Sequence, residues 1–359
     1  MTSTLGIKKI QYPNGTNSIT IDSSGSADIT TANITTAAIT TANVTNATAT
    51  GTITTPSING SQIGGRRNMI INGAMQVNQR GATSGVTSGY FVDRFTLSGC
   101  SASAVITSST PTEFPTAITV SATSGNPIII QKIESNAVQH LSGKTVTASF
   151  LAKNVSNATT LYVSLAYAGS ADNWGSSTTI SEQNLGALTG DWVKYTASWT
   201  VPAGGLNGLG LNILCAGSST FTMGVAGVQL EVGSQATAFE HRSFGEELSL
   251  CERYFERWNS SGGNESLIAV GYVLNSGRIL ANYKYNTPKR VDPTGTNSGA
   301  SGFSCLRGSW HTATSFVILG NKHTARIDLT GLSGFTAGYA AEVRAEPGAG
   351  KWFAFDAEL

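Results

Sequence analysis

WVKYTASWTV, residues 192–201, decides the fold class. Val193, Tyr195, Ala197, Trp199 and Val201 fall on one side of an extended chain; Trp192, Lys194, Thr196 and Ser198 fall on the other. Side chains of a strand point alternately to opposite faces, so this pattern marks a half-buried antiparallel strand. The same period recurs nearby. Leu161, Val163, Leu165 and Tyr167 share a face, as do Val146, Ala148, Phe150 and Ala152. In FTMGVAGVQLEV the apolar phase shifts at Gly227, from Phe221, Met223 and Val225 to Val228, Leu230 and Val232, which predicts a β-bulge. Short alternating strands separated by Gly and Asn turns predict an all-β protein, with a jelly-roll β-sandwich over residues 66–258.

Working outward from that core, one short helix is predicted near 244–258. Ser243 and Glu246 form a capping box, and Leu248, Cys251, Phe255 and Trp258 share a face at helical spacing, which makes Trp258 a core residue. The polar stretch NSSGGNES then reads as a hinge into a smaller C-terminal β-domain, residues 259–359. Its first two strands flank Asn275-Ser276-Gly277, Tyr283 and Tyr285 share the buried phase of Ile279, and a last hairpin is expected across Pro347-Gly348.

Upstream, residues 29–65 contain no charged and no aromatic residue. Ile29, Ile34, Ile39 and Val44 recur every five positions. An odd period on a flat strand throws successive isoleucines onto opposite faces, so the chain has to bend once per quintet, as a β-helix does. A run this short cannot enclose a dry interior alone. The pattern therefore predicts a pentad-repeat, β-helix-like shaft built from three copies of the chain; a Thr/Ala/Asn linker without fixed structure is the other reading. Residues 1–28 form a leader with two short strands around Asn14-Gly15, either a docking segment or a merely ordered terminus.

Composition narrows the function. Charged residues make up 12 % of the 359, against roughly 25 % in ordinary soluble domains. The net charge of +1 gives no field to draw in nucleic acid or an anionic membrane, and no apolar run approaches the ~18 residues of a spanning helix. The N-terminus lacks the apolar core of a signal peptide. Cys100, Cys215, Cys251 and Cys305 form no CxxC pair and are expected as small buried hydrophobes. His140, His241, His311 and His323 have no metal-binding spacing. HExxH, GxSxG and Walker A signatures are absent, and PGAGKW has Trp352 where a phosphate loop needs Ser or Thr. No catalytic residue, metal or cofactor is predicted. A carboxylate pair drawn from Asp172, Glu182, Asp191 and Glu231 stays open, since sequence does not fix their separation.

RRNMIINGAMQVNQRG (Arg66–Gly81), YFVDRF (Tyr90–Phe95), VQLEVGSQATAFEHRSFGEELSLCERYFERW (Val228–Trp258), TPKRVDPT and the terminal FDAEL resemble a domain family of bacteriophage tail fibres and minor tail proteins. That resemblance implies a jelly-roll domain like a carbohydrate-binding module, carried on a trimeric fibre. It supplies no catalytic residues. Asn72-Gly73 reads as a turn, and Arg80 and Arg94 as side chains that form ion pairs or hydrogen bonds across the sandwich. The expected protein is a receptor-binding virion component made in the host cytoplasm. It docks to other virion proteins through residues 1–28, self-associates as a homotrimer and adheres to host cell-surface polysaccharide, without nucleic acid or membrane insertion.

Sugar recognition needs an aromatic face beside hydrogen-bonding groups. The aromatics off the apolar phase are the candidates: Tyr162, Trp192, and Trp174 beside Asp172 and Asn173. Trp310 beside His311 is the C-terminal counterpart. A purely structural virion role (head fibre, decoration protein or baseplate adaptor) and a capsule or cell-wall depolymerase are the rival readings.

Overall fold

The computed structural model describes residues 66–359, except 82–87, 108–109, 261–265, 308 and 349, together with five short strands before them. The chain divides into two compact units, Met1–Thr54 and Thr55–Leu359. In the first, β1 (Lys9–Gln11), β2 (Asn17–Ile21) and β3 (Ala27–Asp28) form a small antiparallel sheet, with the expected pairing of the first two strands. The predicted quintet shaft lies outside the described residues, apart from β4 (Ser57–Ile58) and β5 (Ser61–Gln62), which pair with each other.

The sandwich contains β6 (Gly89–Val92), β7 (Phe95–Thr107), β8 (Ala117–Ile133), the single turn α1 (Ser135–Val138), β9 (Thr145–Ser170), β10 (Asn173–Ala187), β11 (Val193–Thr200) and β12 (Leu209–Val232). They make one antiparallel sheet in the order β10-β9-β12-β8-β7-β6, with β11 on the same edge of β9 as β10. β9 and β12 are far longer than an ordinary strand. Each breaks register midway. On β9 the inward set passes from Val146, Ala148, Phe150 and Ala152 to Leu161, Val163 and Leu165, and Asn157 between them has φ 53°. The buried residues of both halves join a single core, so the sheet curls round it and its two halves become the layers of the sandwich. Ala197, Trp199 and Val201 lie in that core as the opening stretch predicts; Val193, at the strand start, is exposed.

The predicted bulge is present. Register slips between Ala226 and Gln229, and Gly227 has φ 59°. A Cβ there would overlap the Phe114 ring as well as force a side chain into the left-handed region. Gly227→Ala should therefore destabilise the sandwich by about 2–3 kcal/mol, read as a fall in the urea midpoint at unchanged slope.

The helix starts where expected. In α2 (Phe244–Glu252) the Ser243 hydroxyl accepts from Glu246 N at 3.3 Å. The Glu246 carboxylate pairs with Arg66 instead of turning back to the cap. α2 ends at Glu252, short of the predicted 258, because Phe255–Asn259 continues as β13, paired to β22 (Trp352–Asp356). Cross-strand pairing there satisfies the backbone, and Trp258 stacks on Phe353 at 5.1 Å, in the core as anticipated.

The C-terminal domain adds β14 (Ser266–Asn275), β15 (Arg278–Lys284), β16 (Thr294–Asn297), β17 (Phe303–Arg307), β18 (Ser309–Thr312), β19 (Ser315–Gly320), β20 (Thr324–Thr330) and β21 (Ala340–Ala345). A seven-stranded sheet ordered β18-β17-β21-β14-β15-β20-β19 packs on the three-stranded sheet β13-β22-β16. β14 and β15 form the expected hairpin, with Asn275 Oδ1 accepting from Gly277 N at 3.1 Å. The hairpin predicted across Pro347-Gly348 does not form. β21 and β22 belong to different sheets, since β22 alternates to bury Phe353 and Phe355 between β13 and β16. Tyr285 is buried and Tyr283 packs against the same core. Cys215, Cys251 and Cys305 are buried, as expected, and the Cys100 side chain lies outside the described residues; burial pushes the Cys215 thiol up to about 12.

Candidate functional site

The outer face of β9, β11 and β12 carries a groove built from three strand positions and two loops. Leu151 lies between Lys194 of β11 and Ala226 of β12 in register, and forms the floor. One row away, Gly224 pairs with Lys153. Trp192, the residue before β11, lies over Gly224, where an added Cβ would sit 2.8 Å from the indole edge. The Lys153 ammonium stands 4.9 Å from the ring centroid.

One wall is the loop 110–114, turned by Phe114 N donating to Pro111 O at 3.0 Å and anchored by the buried Phe114 ring. Phe239 meets that ring edge-on at 4.9 Å. The second wall is the segment 237–240, held down by two buried residues on β12. Glu231 accepts from Thr237 N and Thr237 Oγ1, both at 2.7 Å, and Gln229 Oε1 accepts from Glu240 N at 2.8 Å.

Thr110, Pro111, Thr112, Glu113, Leu151, Trp192 and Lys194 line a depression of about 500 Å³. It continues past Lys194 into a second recess of about 210 Å³, lined by Phe114, Ser149, Gly227 and Phe239 among others. The Lys194 ammonium donates to Thr237 O at 2.8 Å and bridges the mouth. The groove thus offers a planar indole, hydroxyls, one carboxylate and two ammonium groups on a rigid sheet. That inventory suits reversible binding of a hydroxyl-rich ligand.

The candidate residues predicted from the sequence do not converge. Trp192 lines the groove. Trp174 sits near the other end of β12, its ring over Gly210, 5.3 Å from the Lys132 ammonium, with Nε1 buried and unpartnered. Asp172 Oδ1 accepts from Ser135 N at 2.7 Å, and Asn173 Oδ1 accepts from Gly175 N at 3.0 Å, so both side chains shape that turn. Tyr162 lies half-buried on β9, opposite Leu214 and Asn184. His311 meets the Phe335 ring edge-on at 4.6 Å in the C-terminal domain. The Trp310 side chain lies outside the described residues. Glu113, Leu151 and Phe239 are among the groove residues that sequence reasoning missed. Glu113 lies in a loop without periodicity, and Leu151 sits off the apolar phase of its strand, which is a weak signal in hindsight.

A second polar cluster joins the sandwich to the C-terminal domain. Arg80 reaches Glu358 at 3.0 Å and Asp356 at 3.5 Å, and Arg94 pairs with Glu358 and lies 3.5 Å from the Tyr254 ring centroid. These arginines were expected to form ion pairs or hydrogen bonds across the sandwich; Arg94 does donate to Lys132 O on β8 and Arg80 stands 3.9 Å from Asp93, while Glu358 and Asp356 come from the far end of the chain, because β22 delivers FDAEL to them. Arg253 holds Glu134 through two hydrogen bonds at 3.0 and 2.9 Å, and the Lys289 ammonium pairs with Glu256. Burial raises the Glu134 carboxyl, but the Arg253 and Tyr254 hydrogen bonds, with the charges of Arg253 and Arg290, outweigh it and leave it below the usual carboxylate range. A perturbed cluster of this kind invites a catalytic reading. Its centre is sealed, however, with the Asp93, Arg94 and Glu358 side chains 0 %, 1 % and 4 % exposed, while Asp356 and Arg253 lie half-buried at the rim.

Asp93 makes a measurable signature. Burial raises its carboxyl to about 6, against lowering contributions from Gln79 and Arg80. A carboxyl raised on folding favours the native state when protonated, and that stability is lost as pH climbs from about 4 through about 6. The loss amounts to about 3 kcal/mol. Asp93→Asn keeps the site neutral, so the variant should gain about that much relative to wild type between pH 4 and pH 7. Parallel stability–pH curves for the two proteins would refute this assignment.

Among the described residues no group of three or more His, Cys, Asp or Glu is placed to hold a metal, and no helix is long and apolar enough to cross a membrane. No family model and no curated protein matches the chain. Among solved structures it is similar to the C-terminal family 22 carbohydrate-binding module of Clostridium thermocellum Xyn10B, at 15 % identity over 40 % of this chain and 89 % of that one, TM-score 0.31. It is similar to TmCBM61, solved with β-1,4-galactotriose, at 12 % identity over 46 % of this chain and 99 % of that one, TM-score 0.31. It is also similar to the enzymatically active domain of bacteriophage CBA120 tailspike protein 4, at 15 % identity over 46 % of this chain, TM-score 0.33, and spans 21 % of that chain.

Proposed function

We propose that this chain is a bacteriophage fibre protein that attaches the virion to host cell-surface glycan, acting by adhesion and not by catalysis. The groove beside Trp192 carries the proposal: an indole face, flanking hydroxyls and charges of both signs, on a framework too well anchored to need ordering on binding. The sequence segments that resemble phage tail-fibre proteins support the setting, with residues 1–28 docking to other virion proteins and three copies sharing the quintet shaft. Each groove binds weakly, and several grooves per particle raise avidity by about 10²–10⁴.

Purified protein should bind host cells, be displaced by soluble polysaccharide released from them, and leave the length of that polysaccharide unchanged. Shortening of the polymer, abolished by substitution of a single carboxylate, would replace adhesion by depolymerisation. Failure to bind host cells or their polysaccharide would leave a structural virion role.

A further inference from the structure

The inner recess of the groove differs in chemistry from the depression beside Trp192. The two share Glu113, Leu151 and Lys194, and the recess adds Phe114, Ser149 and Phe239. Phe114 and Phe239, edge-on at 4.9 Å, make its walls apolar. At about 210 Å³ it is smaller than the ~300–1,000 Å³ of a pocket that encloses a whole small ligand, so it suits one substituent of a larger molecule. Ser149 is the second observation. On β9, Thr147, Ser149 and Leu151 alternate with the inward Ala148, Phe150 and Ala152 and so face the groove side of the strand. The Thr147 hydroxyl is bonded to Gly233 O at 2.7 Å. Ser149 is 3 % exposed, and among the described residues its hydroxyl has no hydrogen-bond partner. A buried hydroxyl in that position costs stability unless something entering the recess bonds it.

We infer that the recess takes an acetyl group of the bound glycan. This rests on the adhesin reading of the groove and narrows its ligand to an acetylated polysaccharide. The methyl packs against Phe114 and Phe239. The carbonyl oxygen accepts from the Ser149 hydroxyl or, nearer the mouth, from the Lys194 ammonium, which gives one N–H to Thr237 O and has two more to offer. Other common sugar substituents fit less well. A bare methyl leaves Ser149 without a partner. An unsubstituted hydroxyl sets a polar group against two phenylalanine rings. A carboxylate reaches Lys194 only by giving up water to the same apolar walls. A short group with a methyl end and one acceptor oxygen satisfies both sets of residues. The sugar that carries it stays in the outer depression with Trp192, because Leu151 floors both chambers.

Competition for binding to host cells tests it, with soluble host polysaccharide in four forms: native, stripped of ester acetyl groups by mild alkali, N-deacetylated and recapped with acetyl, and N-deacetylated and recapped with formyl. Formyl keeps the amide and its charge and removes only the methyl. A fall in affinity of about fivefold to tenfold after alkali assigns the recess to an O-acetyl group. A fall of about fivefold with formyl, absent with acetyl, assigns it to an N-acetyl group. Ser149→Ala reads the hydroxyl separately. It should weaken binding of the acetylated polymer by about fivefold at an unchanged melting temperature, since the hydroxyl bonds nothing within the described chain. Equal binding of all four forms by wild type would overturn the inference and leave the adhesin reading standing, as would a Ser149→Ala variant that binds the acetylated polymer as wild type does. Binding of none of the four would sink both.

Discussion

Replacing Arg94 by alanine should lower the stability of the protein by about 3–5 kcal/mol, a fall in melting temperature of about 10 °C. Arg94 is fully buried in the turn between β6 and β7, at φ 72°. Its guanidinium pairs with Glu358, donates to Lys132 O and packs on the Tyr254 ring. Burial works against its charge, but Glu358 together with Tyr254, Tyr90 and Cys251 outweighs that cost and leaves the guanidinium above its ordinary range. Alanine removes the cation and leaves a buried carboxylate with Arg80 as its remaining ion pair at 3.0 Å. Breaking one side of a buried pair costs more than the pair itself contributes. Two further variants separate causes. Arg94→Lys should recover little, since an ammonium cannot reproduce the planar fork. Arg94→Met combined with Glu358→Gln should recover most of the loss, as the buried carboxylate left with only Arg80 is gone. Additive losses in the double variant would show that Arg94 acts by packing alone.

The Trp192→Ala variant should bind glycan about 10–100-fold more weakly per site, with a larger loss of whole-particle adsorption where several grooves engage together. The indole is the large flat surface of the outer depression, and it lies directly over Gly224, which has no side chain to take its place. Trp192 also packs with Leu151 and Phe239 in a small cluster around Phe114 and Ala226, so alanine will loosen the wall to some extent. Trp192→Phe, which keeps the packing and narrows the face, should lose about threefold to tenfold. Glu113→Gln removes an exposed carboxylate at the rim and should change affinity without moving the melting temperature. Trp174→Ala serves as the contrast. Its ring covers Gly210 near the other end of β12, outside the groove lining, so it should leave binding intact. If Trp174→Ala abolishes adsorption and Trp192→Ala does not, the groove is not the receptor site.

Period-two alternation was enough to read the sandwich strands, the bulge at Gly227, and the β14–β15 hairpin, because strand geometry is local and repeats every two residues. The helix start was legible for the same reason: the Ser243 cap involves residues three apart. The end of α2 was not, since the competitor for 255–259 is β22, nearly a hundred residues away. The false hairpin at Pro347-Gly348 has the same cause, as turn residues say where the chain bends and not which strand it joins next.

The groove follows this division. The alternation marked Trp192 and Lys194 as outward-facing. Only the folded chain brings the 110–114 loop, Leu151 and the 237–240 segment around them. The conspicuous motifs, NMIINGAM, YFVDRF, CERYFERW and FDAEL, turn out to build the buried junction between domains, where Asn72 donates to Val77 O and Asp93 O, and Arg80 and Arg94 meet Glu358. Local order (strand, bulge, cap, turn) was determined by the sequence alone because it depends on neighbours a few residues apart. Which distant side chains share a groove or a buried ion pair was decided by the tertiary structure, since burial and charge pairing are set by the surroundings that the whole fold assembles.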